Sequence, residues 1–159
     1  RVAAIPVPVL LSRLGLHETA REAYRAAHQE RSTPEIFQDF LTDQVFRSVA
    51  LQAAQVRPPG TTWLYRFGWR SPTHGLAIHC VDVPFWFDCL DAEHVSALTG
   101  DRPPQALADE VHGAAVGLMT RGDPGWPSYS PERREVMVFG EPSRVVEDGY
   151  RDVRPLVAI

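Results

Sequence analysis

Within Gly75-Leu76-Ala77-Ile78-His79-Cys80-Val81-Asp82-Val83-Pro84-Phe85-Trp86-Phe87-Asp88, a titratable histidine follows a strand-like stretch and precedes a dense apolar-aromatic run. Imidazole titrates near neutral pH, which makes it the commonest general base in proteins. A neighbouring apolar wall would exclude water and strengthen the electrostatic contacts made there. The placement suits a base at the floor of a dry pocket. Taken alone, a histidine beside apolar residues is more often a satisfied structural group, and at this level that alternative stays open.

The chain offers no evident nucleophile for such a base. A nucleophile elbow needs Gly-x-Ser-x-Gly on a tight strand-to-helix turn, and no serine here has glycine at both required positions. Cys80 directly follows His79, but adjacent side chains diverge and cannot converge on one atom. His74, His79, Cys80, Asp82, Cys89 and His94 invite a zinc reading, yet their spacing fits no compact Cys-x-x-Cys or His-x-x-x-His scheme. No metal is expected. Asp82 reads as a loop-cap acceptor near the histidine, and Asp43 as a structural residue on a helix.

The elements that must position these groups are few. At 159 residues and 44% apolar content the chain has room for one domain, 1–159, since on the order of 70% of the unfolded surface is buried at this size. The net charge of −4 is spread along the chain without a basic stripe, so nucleic acid is not an expected partner. No run approaches the ~18 apolar residues of a membrane span. Val7-Pro8-Val9-Leu10-Leu11 is short and lacks the layout of a signal peptide, which makes the cytoplasm the expected compartment. Two cysteines, Cys80 and Cys89, make no disulfide framework. All 16 basic residues are arginine, which reads first as a compositional bias of the source genome.

Residues 17–29 carry an apolar stripe at Ala20, Ala23, Tyr24 and Ala27, the spacing of a helix. Ser32-Thr33-Pro34-Glu35 is a capping-box start for a second helix running to about Val56. Ile36, Phe37, Phe40, Leu41, Val45, Val49 and Ala53 are its expected buried face. Thr61–Phe67 reads as a strand, 91–98 as a short helix and 104–121 as a longer one closed by Gly122. Glu135–Phe139 and Ser143–Val146 read as strands joined by a hairpin. A doubly wound domain of this length would show about five strands. Here only one is clear and two are weaker, so the pattern fits part of an α/β layer protein better than a complete one.

Five stretches, in order, resemble the C-terminal part of the type B carboxylesterases, the α/β-hydrolase family that includes the para-nitrobenzyl esterases and cholinesterases. They are Thr42-Asp43-Gln44-Val45-Phe46; Trp63-Leu64-Tyr65-Arg66-Phe67 with Trp69; His79-Cys80-Val81-Asp82-Val83-Pro84-Phe85-Trp86-Phe87; Gly122-Asp123-Pro124-Gly125-Trp126-Pro127-Ser128-Tyr129; and Arg133-Arg134-Glu135-Val136-Met137-Val138-Phe139. The resemblance covers roughly residues 36–150. Any one block is weak; five in the family's order are specific.

The resemblance implies an α/β fold, the C-terminal portion of an α/β-hydrolase, with helices packed on the last strands of a sheet built mostly elsewhere. It implies serine-dependent hydrolysis of a small-molecule carboxylic ester through an acyl-enzyme, with no cofactor and with His79 as the base of a Ser-His-Glu triad. The distance to Pro84-Phe85 marks His79 rather than His74 as that base. Phe85, Trp86 and Phe87 are the local candidates for the water-excluding wall. Leu118 and Met119 are candidates for the acyl pocket, with core packing as their simpler role. By family order the serine and glutamate lie upstream, so the expected partner is an N-terminal segment carrying both, and the chain alone should not hydrolyse esters. The alternative is a non-catalytic, cholinesterase-like interaction protein.

Overall fold

The computed structural model describes residues 4–157 and divides them into two compact units. One runs through Thr62 and takes in the segment from Asp148; the other is Trp63–Glu147.

The first unit is helical. After α1 (Val7–Arg13) comes α2 (Glu18–Ala27), close to the expected span, with the His17 ring accepting from the Ala20 amide as a side-chain cap. The next helix, α3 (Thr33–Thr42), opens on the expected capping box. Glu35 accepts from both the Ser32 amide (2.8 Å) and the Ser32 hydroxyl (2.6 Å). The backbone then passes through a π-helical stretch, Asp43–Arg47, into α4 (Ser48–Val56). Leu11, Tyr24, Ile36 and Phe40 form the core here, with Leu14, Leu16 and Leu156 leaning on it.

The buried face of this long helix differs from the expected one. Ile36 and Phe40 are buried as expected, but they are followed by Asp43, Ser48, Leu51 and Ala54. Leu41, Val45 and Val49 are 44%, 57% and 56% exposed, leaving an apolar stripe open to solvent. Polar residues take inward positions because the fold satisfies them: Ser48 donates to the Gln44 carbonyl at 3.0 Å, and Asp43 accepts from Tyr24 and Arg47. A hydrophobic pattern that scores polar residues as outward misses such positions.

The second unit holds a three-stranded sheet in the order β1-β2-β3, with β1 Leu64–Phe67, β2 Val136–Phe139 and β3 Arg144–Val146. The first strand is shorter than expected at its start, where the Thr61 hydroxyl donates back to Pro58 and closes the turn after α4. β1 pairs parallel to β2, Leu64 opposite Val136 and Phe67 opposite Phe139, whereas β3 runs antiparallel to β2. Parallel neighbours need a long crossover. Residues 68–135 provide it, carrying α5 (Val83–Trp86), α6 (Val95–Thr99) and α7 (Gln105–Arg121). Gly122 ends α7 at φ 70°, a left-handed cap that suits a residue without Cβ, and its amide returns to Leu118 at 3.0 Å. Trp69, Val81, Phe85, Leu107, Val111 and Phe139 lie in this unit's core, and Tyr65, Phe67 and Met137 lean on it from one face of the sheet. Among the described residues no helix is long and apolar enough to cross a membrane.

Candidate active site

His79 occupies a turn that the backbone makes between β1 and α5. The Val81 amide bonds to the Ile78 carbonyl at 3.2 Å, and the Val83 amide to the Cys80 carbonyl at 3.2 Å. Cys80 adopts φ 65°, in the left-handed region that non-glycine residues seldom enter. This kink exposes His79 and Cys80 while driving Val81 into the core at 2% exposure. The turn thus works as a plug with an imidazole on its outer side.

The aromatic run divides by role. Phe85 is wholly buried, its ring 5.0 Å from Phe67 and 5.2 Å from Trp69. Trp86 is half-buried, 4.9 Å from the Tyr65 ring, and its carbonyl accepts from His112 Nδ1 at 2.9 Å. Phe87 is 73% exposed. Phe85 therefore shares a core cluster with Val81 of the histidine turn, Trp86 packs against that cluster, and Phe87 is turned to solvent. Leu118 and Met119 are carried by a separate helix, on the last turn of α7, and are 41% and 75% exposed.

Asp82 accepts from the Tyr65 hydroxyl at 3.0 Å, a tie from the turn to β1 rather than the loop cap expected of it, and its side chain makes no cap bond to α5. His74 instead donates Nε2–H to the Ala97 carbonyl at 3.0 Å, joining its loop to α6. Two further ties bring the sequence blocks of this unit together. Trp63 Nε1 donates to the Trp126 carbonyl at 3.1 Å, and Trp69 Nε1 to Glu141 at 3.1 Å. Glu135, 3% exposed, accepts from the Ser130 amide (3.1 Å) and hydroxyl (2.7 Å) and pairs with Arg133 at 2.6 Å. Burial works to raise its pKa, but the Ser130 bonds and the Arg133 charge outweigh burial and hold the carboxyl below the usual glutamate range.

A second polar cluster, in the first unit, was not singled out in the sequence. Asp43 is fully buried and accepts from the Tyr24 hydroxyl at 2.8 Å and from Arg47 at 2.6 Å. His28 Nδ1 donates to the Tyr24 carbonyl at 2.9 Å, its ring stacks on Tyr24 at 4.2 Å, and its Nε2 lies 3.9 Å from Asp43. Burial first, and then the Asp43 carboxylate, push the Tyr24 hydroxyl far above its ordinary pKa, so it stays a donor. His28, Asp43 and Asp152 place potential ligand atoms within 4.8 Å of one another. Yet Arg47 already sits on Asp43, so the cluster works as a buried ion-pair network rather than an open cation site. The i,i+4 spacings of Tyr24 with His28 and Asp43 with Arg47 are the signal that could have found it.

No family model matches the chain. Among curated proteins it is 26% identical to the para-nitrobenzyl esterase of Bacillus subtilis over 72% of this chain and 25% of that protein. It is 27% identical to the phenmedipham hydrolase of Pseudarthrobacter oxydans over 83% of this chain and 29% of that protein. In fold it matches the Geobacillus stearothermophilus carboxylesterase EST55 with a TM-score of 0.77 and 27% identity, over 97% of this chain and 35% of that one. A solved para-nitrobenzyl (PNB) esterase gives a TM-score of 0.72 at 20% identity, over 98% of this chain and 34% of that one. The chain thus spans about a quarter to a third of the length of these proteins. Its architecture is that of a portion of the α/β-hydrolase fold.

Proposed function

We propose that this chain, similar in sequence and fold to the type B carboxylesterases, is the C-terminal portion of a serine carboxylesterase and supplies its general base, His79. The observation that carries the reading is the set of five collinear blocks, joined to a fold match that extends over 97% of the chain. The exposed imidazole on a turn backed by buried aromatics supports it. So does the open edge of β1, which pairs only with β2 among the described residues. Parallel strands are normally interior, and an open edge invites another strand. The apolar stripe of Leu41, Val45 and Val49 is a second surface that a further segment would cover.

In this reading a serine from another segment attacks the ester carbonyl. His79 takes the hydroxyl proton as the C–O bond to the acyl carbon forms, then gives it to the departing alkoxide, leaving an acyl-serine. Water repeats the sequence: His79 accepts its proton as it attacks, and returns that proton to the serine as the acid leaves. A glutamate from the same other segment holds the imidazole in its tautomer. The chain without that segment has negligible turnover.

The test joins the chain to a serine-bearing upstream segment and measures p-nitrophenyl acetate hydrolysis. His79→Ala is expected to abolish turnover while His74→Ala leaves it intact. Unchanged turnover in His79→Ala would overturn the assignment.

A further inference from the structure

Cys80 leaves the turn in a strained left-handed conformation immediately after His79. Such a conformation persists only where the surroundings over-determine it. The short turn is closed by two backbone bonds of 3.2 Å, at the generous end of the range, so its own hydrogen bonding is a modest restraint. A tie from outside the turn is the Tyr65 hydroxyl, which donates to Asp82 at 3.0 Å, three residues beyond the imidazole. Tyr65 is itself immobilised: it lies in the register of β1 opposite Met137, and its ring packs edge-on against Trp86 at 4.9 Å and Phe139 at 5.9 Å. A second anchor holds the far side of the segment, where His112 on α7 donates to the Trp86 carbonyl at 2.9 Å.

We infer that Tyr65 and Asp82 form a positioning pair for His79, transmitting the rigidity of the sheet to the catalytic turn through one charge-assisted hydrogen bond. The inference rests on the reading of His79 as the base. Neither residue touches the reacting atoms. Their effect lies in keeping the imidazole within the few tenths of an ångström that proton transfer tolerates.

A positioning role separates from a merely structural one by its kinetic signature. In the esterase polypeptide carrying this chain, Tyr65→Phe removes only the hydroxyl and should lower kcat on the order of tenfold, against the ~100-fold cost of a 1 Å misplacement. KM for p-nitrophenyl acetate should stay unchanged. Asp82→Ala should do the same, and the double variant should be no slower than Asp82→Ala alone, because both remove one bond. Asp82→Asn keeps an oxygen that can accept from Tyr65 and should recover most of the lost kcat. Rates are normalised to the folded fraction from a parallel melt. Additive losses, an unchanged kcat in Tyr65→Phe, or a fall explained by unfolding would each overturn the pair. If His79→Ala abolishes turnover while Tyr65→Phe does not slow it, only the positioning role fails. If His79→Ala remains active, the assignment of the base fails, and the pair with it.

Discussion

Two histidines in this chain have opposite surroundings. His28 is 7% exposed, stacked on Tyr24, bonded to its carbonyl and set 3.9 Å from a fully buried aspartate. His79 is exposed at the apex of a kinked turn. By density of buried titratable groups the first looks more like a catalytic centre. Its central carboxylate, however, is occupied: both Asp43 oxygens are engaged, one by Tyr24 and one by Arg47. A base must reach a substrate from a rigid support, and the exposure of His79 on its kinked turn is compatible with the proposed role. Perturbed, buried groups mark function only when some of their bonding capacity is reserved for a substrate.

Substitutions should pull these two regions apart. His79→Ala in the proposed full-length esterase is expected to lower kcat at least about 1000-fold while moving stability by less than about 0.5 kcal/mol, measured by ester turnover and urea melts of the same sample. Asp43→Ala should do the reverse. Leaving Arg47 and Tyr24 without their buried partner should cost about 3 kcal/mol, read as a lower urea midpoint, with turnover per folded molecule preserved. A comparable loss of turnover in Asp43→Ala would show that the first unit is not only structural.

Smaller changes refine the contrast. Tyr24→Phe deletes one hydrogen bond to a charged acceptor and should destabilise by about 1.5 kcal/mol. Ser32→Ala removes one half of the capping box of α3 and should cost about 1 kcal/mol by the same melts. The pH dependence should bear the mark of Glu135. Because its carboxyl is held below the usual range, its stabilisation is fully present above the ordinary glutamate pKa and is lost as pH falls through the folded value. Glu135→Gln should therefore flatten the acid limb of the stability curve and leave its slope near neutral pH unchanged. An acid limb as steep as that of the unsubstituted chain would remove Glu135 from the account.

Much of the fold was legible because local chemistry and tertiary structure agree. Ser32 and Glu35 announce α3, Gly122 closes α7 where a left-handed cap is needed, and the β2–β3 pair falls at the expected residues. The face of the 33–56 helix was not legible. It is apolar on more than one side, and its inward choice is decided by partners such as Tyr24, distant in sequence, that make a buried Asp43 affordable. Asp82 was legible as an acceptor, although a loop cap was expected of it. The donor, Tyr65, was not, since 17 residues separate them and only the crossover brings β1 under the turn. Phe85 and Trp86 read as one aromatic wall with Phe87, but the short α5 helix turns the three rings in different directions, a division invisible without the backbone.

Chemical rescue tests the central claim most directly. In the proposed full-length esterase, His79→Ala should be restored in part by added imidazole, in proportion to the unprotonated imidazole present, as expected when a missing general base is supplied from solution. His28→Ala should show no such dependence. A His79→Ala variant that hydrolyses p-nitrophenyl acetate at the unsubstituted rate without imidazole would contradict the account.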